Sequence, residues 1–156
     1  MKHSSSAGFF LVEVVVAASV IAAVLMLLLG SIQNSVDVSN RSLERTQASY
    51  LLEEANEAVK AIRDTAWSNI SGVTNGTTYY LSWSGSAWSL TTTPSTIGVF
   101  TRTVVFAAVN RDSNDDIVTS GGTLDTGTKK VTATVSWAPS TGSKSESMSF
   151  YIADIR

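Results

Sequence analysis

Gly8, Phe9 and Glu13 are the residues whose types and spacing carry the most chemistry in this sequence. Glu13 stands inside FFLVEVVVAASVIAAVLMLLLG, residues 9–30, as the one ionisable group among 22 residues. A charge at membrane depth costs about 2.5 to 3.5 kcal/mol at the centre of a span and less near its end. Two arrangements relieve that cost. Either Glu13 lies close enough to the headgroups to stay hydrated, or it pairs with a cation. The neighbouring residues offer one, because a cut between Gly8 and Phe9 creates an α-amine one helical turn from the carboxylate.

The element that must position these groups is the apolar run itself. As a helix it rises about 33 Å and matches a hydrocarbon core of ~30 Å. It exceeds the apolar stretch of ~7 to 15 residues found in a secretory signal peptide, so cleavage after it is disfavoured. The preceding MKHSSSAG holds Lys2 as its only full positive charge, which predicts a cytoplasmic N-terminus and an external remainder. Lys60 and Arg63 fall in the long translocated segment, where charge has little influence on orientation.

The segment AGFFLVEVVVA, residues 7–17 of 156, resembles the processing site of the type IV pilin family. Precursors of that family carry a short polar leader ending in Gly, then an aromatic residue, and a Glu at the fifth position of the mature chain. The resemblance implies that a prepilin peptidase cuts after Gly8 and methylates Phe9, and that Glu13 is the assembly carboxylate. Phe10 departs from the family's usual Thr or Ser. The wording LVEVVVA is closer to minor pilins and secretion pseudopilins than to the LIELMIV of major pilins. The implied partners are other copies and other pilins, the peptidase that also methylates, and the assembly machinery in the membrane. The implied location is a single pass through the cytoplasmic membrane, followed by a filament at the cell surface.

In a bundle of parallel helices an unpaired buried charge is an error of about 3 to 5 kcal/mol when the site is dry. Pairing of each Glu13 with a neighbour's Phe9 amine therefore selects one axial stagger. Glu13 also lies in the first turns of the mature helix, where the macrodipole favours negative charge by ~0.3 to 1 kcal/mol.

Beyond Gly30 the pattern becomes amphipathic. Ile32, Val36, Leu43, Leu51, Ala55, Val59, Ile62 and Ala66 recur at helical spacing, while Arg41, Glu44, Arg45, Glu53, Glu54, Glu57, Lys60, Arg63 and Asp64 fall mainly elsewhere. Neither Pro occurs before position 94. One helix over 9–67 is expected, rising about 88 Å. Gly30 is its expected weak point, since an interior Gly costs ~1 kcal/mol against Ala; the alternative role is close packing between helices. Many pilins carry a proline at the equivalent place.

The remainder reads as strands over 77–83, 87–90, 99–109, 117–119, 129–137 and 147–152, rich in β-branched and aromatic residues and separated by Gly, Ser, Asn and Asp. Val131, Ala133, Val135 and Trp137 alternate with Thr132, Thr134 and Ser136, so one face is expected to be buried and the other wet. The fold class is α+β: a long N-terminal helix, spanning in its first half and amphipathic in its second, on an antiparallel β head. The expected divisions are a leader over 1–8, a span over 9–30, the helix's continuation over 31–67 and the head over 68–156. This is also the architecture that the resemblance implies, although the C-terminal disulfide of many pilins is excluded by the absence of cysteine.

Other candidate sites are weaker. Asp112, Asn114 and Asp116 have the alternate spacing of oxygen ligands in a calcium loop, and some pseudopilins bind calcium in the head. Ile117 stands where the loop's glycine belongs and Thr123 where its bidentate Glu belongs, so a solvated hairpin turn is the competing reading. Trp67, Tyr79, Tyr80, Trp83, Trp88 and Trp137 offer a sugar-stacking surface, against the commoner role as core and docking residues. Asn40, Asn69 and Asn75 match the glycosylation pattern and carry no weight by themselves.

Composition excludes several function classes. The formal charge is −2, so specific nucleic acid binding is not expected. His3 is the only histidine and there is no cysteine; once the leader is removed, neither a Ser-His triad nor a His metal site can be built. An enzyme is not expected, and no cofactor beyond the candidate calcium. The chain carries 24 Ser and 18 Thr with 15% charged residues, a composition common in extracellular β-rich domains. The expected function is a structural subunit of a type IV pilus or related filament. The alternatives are a membrane-tethered extracellular binding or adhesion module, and a type II secretion pseudopilin.

Overall fold

The computed structural model describes residues 6–139 and 142–155, with side chains from Phe10 onward. Helix α1 (Ser6–Thr65) is followed by the short α2 (Ser68–Ser71) and by strands β1 (Thr78–Trp83), β2 (Trp88–Thr91), β3 (Thr96–Ile97), β4 (Phe100–Arg111), β5 (Ile117–Val118), β6 (Thr123–Trp137) and β7 (Lys144–Ala153). The chain divides into two compact units, Met1–Glu44 and Arg45–Arg156.

The described part of the first unit is helical throughout. Its one internal hydroxyl near the Glu13 end is satisfied locally: the Ser19 Oγ donates to the carbonyls of Val15 and Val16 at 2.7 and 2.9 Å, which removes the cost of a bare donor in an apolar run. The helix passes through Gly30 without interruption, and a Cβ there would meet nothing within 4 Å.

In the second unit the last five turns of α1 pack on the sheet. The sheet order is β2-β1-β4-β6-β7, with β3 and β5 added against β4, and every pairing is antiparallel. The alternation in β6 places Val131, Ala133, Val135 and Trp137 in the core and leaves Thr132, Thr134 and Ser136 half-buried on the other face. Phe100, Val104 and Phe106 of β4 and Ile152 of β7 join the same core, and Ala48, Leu52, Ala55, Ala58, Val59 and Ile62 of α1 cover it. Three alanines on that helical face keep the side-chain layer thin, so the backbone of α1 can approach the strands closely.

The structure corrects the sequence reading in four places. The helix ends at Thr65 rather than 67, and Trp67 packs against the core from the turn before α2. Leu52 and not Leu51 is the buried leucine, because the stripe that meets the sheet is centred on Ala48, Leu52, Ala55 and Val59. β6 starts at Thr123, six residues before the expected 129: the register shifts between Ala108 and Val109, whose partners are Lys129 and Asp125, so the intervening residues loop out and break the alternation. The two-residue β3 carries too little pattern to be read.

Candidate functional site

The N-terminal site is built on the first turns of α1. The Gly8–Phe9 bond lies within the helix, and the side chain of Phe9 lies outside the described ones. Glu13 is exposed and stands beside Val12, Val16 and Ala17. Phe9 and Glu13 are four residues apart, so the helix places them on one face. From Phe10 to Leu29 the large apolar side chains are between 49% and 75% exposed. This is the one helix among the described residues long and apolar enough to cross a membrane. A monomeric soluble protein rarely leaves such an area uncovered.

The head contains a second polar arrangement that the sequence reading missed. Arg102 lies on the buried face of β4, in the same alternation as Phe100, Val104 and Phe106. Its side chain is 3% exposed, and Nη1 is 2.9 Å from Glu54 Oε2 of α1, whose side chain is 45% exposed. Nη1 also donates to the Leu51 carbonyl at 3.5 Å, and the guanidinium lies 5.4 Å from the Trp88 ring centroid. The buried Arg102 Nε and the buried Asn56 Oδ1 have no hydrogen-bond partner. The signal was present in FTRTVVF, where a single Arg shares parity with three apolar residues.

A second missed feature is an open groove of about 550 Å³ lined by Gln47, Tyr50, Leu51 and Glu54 of α1 and by Ile97, Gly98, Val99 and Phe100 at the β3–β4 turn. Tyr50 and Val99 on its wall are 66% and 70% exposed.

In the candidate calcium loop, Asp112 Oδ1 accepts from the backbone N–H of Asn114 and Asp116 at 2.8 and 3.0 Å. The Asp112 N–H in turn donates to the Asp116 carbonyl, and Asp115 takes the left-handed conformation at φ 68°. That oxygen caps a tight turn, as Asx side chains do. Among the described residues no group of three or more His, Cys, Asp or Glu is gathered to hold a metal ion. The nearby Arg111 donates to Asp125 Oδ2 at 2.7 Å, and this bond holds the Asp125 carboxyl below the usual range and raises the Arg111 guanidinium.

The aromatic residues divide between core and surface. Trp137 is buried against Phe100, while Tyr79, Trp67 and Trp88 pack on the core from its margin. Tyr80 is half-buried, and Trp83 is exposed beside Trp88 at 5.3 Å between ring centroids.

No family profile, curated protein or solved structure matches this chain.

Proposed function

We propose that this chain is a filament-forming subunit of the type IV pilin kind. It is inserted in the cytoplasmic membrane, cut between Gly8 and Phe9 by a prepilin peptidase, methylated at Phe9, and polymerised through its apolar helix. The observation that carries the reading is the uncovered first half of α1, with Glu13 as its single acid among exposed apolar side chains. A lipid bilayer satisfies that surface before assembly, and a bundle of like helices satisfies it afterwards. Only the bundle gives Glu13 a partner, namely the amine of a neighbouring Phe9, and that pairing sets the stagger.

The test is mass spectrometry of the purified protein together with electron microscopy of sheared surface material. The expected result is a chain beginning at N-methylated Phe9 and present in filaments. An intact Met1 or an unmodified Phe9 on the mature chain would refute the reading and favour a tethered extracellular module.

A further inference from the structure

Three of the four tryptophans are taken up by the core: Trp137 is buried, and Trp67 and Trp88 pack against it. Trp83 is the exception, at 53% exposed. It ends β1 and pairs across the hairpin with Trp88, which begins β2; the two rings lie 5.3 Å apart between centroids, inclined at 50°. Trp88 is held in turn by the Arg102 guanidinium at 5.4 Å, which is itself fixed by Glu54 at 2.9 Å. The turn next to Trp83 is closed, with the Ser84 N–H donating to the Ala87 carbonyl at 3.1 Å and Ser84 Oγ accepting from the Ala87 N–H at 3.2 Å. The ring of Trp83 is therefore braced by its neighbour and by the turn, while half its surface meets solvent. Cross-strand pairing accounts for the covered half only. A large aromatic surface that is already ordered loses little entropy when a partner stacks on it.

The chemistry around the ring selects the partner. Residues 65–101 contain no Asp, Glu, Lys or Arg and hold 16 Ser and Thr. The next charge, Arg102, is buried and committed to Glu54. Such a surround gives no cation to a phosphate or carboxylate and no anion to a basic peptide. Ser82, Ser84, Ser86 and Ser89 flank the two indoles in the sequence, and hydroxyls donate and accept with neutral groups. A π face with neutral hydroxyls about it fits a molecule that is apolar on one face and hydroxylated at its rim. A pyranose ring has that form: its C–H bonds lie against the negative face of the indole. We propose that Trp83 is the stacking platform of a binding site for neutral hexose chains. The proposal holds for a filament subunit and for a tethered module alike, so it stands or falls apart from the filament reading.

The test uses the full chain in a zwitterionic detergent without sugar headgroups. Cellohexaose, maltohexaose and mannohexaose are the probes, with an oligogalacturonate and a proline-rich peptide as comparators. Binding is read by ligand-observed NMR, which needs no tryptophan signal. At least one neutral hexasaccharide is expected to bind, and more tightly than its disaccharide. Trp83→Tyr keeps an aromatic face and should retain binding, whereas Trp83→Leu keeps apolar bulk alone and should weaken it at least tenfold. The two variants should melt at similar temperatures, which separates loss of the platform from loss of the fold. Absence of binding by all three hexasaccharides would overturn the proposal, as would equal binding by Trp83→Leu. Preference for the galacturonate or the peptide would overturn it and give the ring to that partner. Concentration-dependent oligomers that Trp83→Leu lacks would give the ring to a second copy instead.

Discussion

The Glu54–Arg102 pair should respond very differently to loss of its two members. Arg102 is the buried partner and Glu54 the half-exposed one. Glu54→Leu removes the carboxylate and strands a guanidinium that water does not reach, an error of about 3 to 5 kcal/mol for a dry site. Exposure of the Glu54 side chain screens the pair and places the expectation at the lower end, about 3 kcal/mol. Arg102→Met keeps an unbranched stem in the core and lets Glu54 turn to solvent. It forfeits the contact with Trp88, worth about 0.5 to 2 kcal/mol, and it also abolishes the unpartnered buried Nε, whose burial costs about 1 to 3 kcal/mol. The two nearly cancel, so its net cost should stay within about 1 kcal/mol. The double variant should be more stable than Glu54→Leu alone, because no buried charge remains. Thermal unfolding of the full chain in detergent, followed by tryptophan fluorescence, resolves this. At about 4 °C per kcal/mol, Glu54→Leu should fall by about 12 °C and Arg102→Met by less than about 4 °C. Equal losses, or a double variant no better than Glu54→Leu, would refute the assignment of Arg102 as the costly member.

Four further outcomes are expected. Glu13→Val should leave the subunit membrane-inserted at wild-type level and reduce filament yield by at least tenfold on immunoblots of sheared material; normal filament yield would remove Glu13 from the register role. Phe106→Ala, at a fully buried ring 6.0 Å from Tyr79, should cost about 3 to 5 kcal/mol in denaturant unfolding, and a loss under 1 kcal/mol would contradict its place in the core. Gly122→Ala should destabilise more than Gly121→Ala, although both have φ +72°, because a Cβ on Gly122 would lie 2.5 Å from the Arg111 carbonyl oxygen while Gly121 faces open space; similar melting temperatures would count against that geometry. Asp125 is held low by Arg111, so its contribution is complete above the unfolded Asp pKa of about 3.9 and declines as pH falls through the lowered folded value. Asp125→Asn should therefore be less stable than the parent near neutrality, with the gap closing below about pH 4; a gap constant with pH would show that the ion pair is not its source.

The head was legible where a residue's size and its parity in a strand told the same story. Val131 to Trp137 alternate without exception, and their burial follows the alternation. Where the ladder slips at Ala108/Val109, the pattern before it no longer maps onto a single face, and the first six residues of β6 were lost to view. Small residues misled in another way. Ala48 and Ala58 are fully or nearly fully buried on α1, yet alanine carries almost no hydropathy signal, so hydropathy alone puts the stripe on Leu51 rather than on the face the alanines share with Leu52. The candidate site divides along the same line. Glu13 stands out in any reading because its apolar neighbours make a lone acid conspicuous. Arg102 was hidden by an equally informative context, since its neighbours Thr101 and Thr103 made it look like one more polar residue of a half-wet strand.

Apolar residues also recur along α1 before the segment that packs on the sheet. From Ala48 to Ile62 the apolar positions of α1 are consumed by strands of the same chain. Nearer the N-terminus, Ile32, Val36 and Leu43 recur four and seven residues apart, share a face of their own, and remain 52% to 59% exposed. A bilayer accounts for residues 9–30, whose length matches its core, but Val36 and Leu43 lie among Asn34, Asp37, Asn40 and Arg41, too polar a setting for hydrocarbon. An apolar stripe on a polar helix segment is the pattern of packing against another helix. In the proposed filament, the segment from Ser31 to Glu44 would pack against neighbouring rods rather than lipid. Replacing Val36 and Leu43 with Ser should leave membrane insertion and head stability unchanged while weakening filaments to shear. Intact filaments of normal strength from that variant would show that the stripe serves something other than assembly.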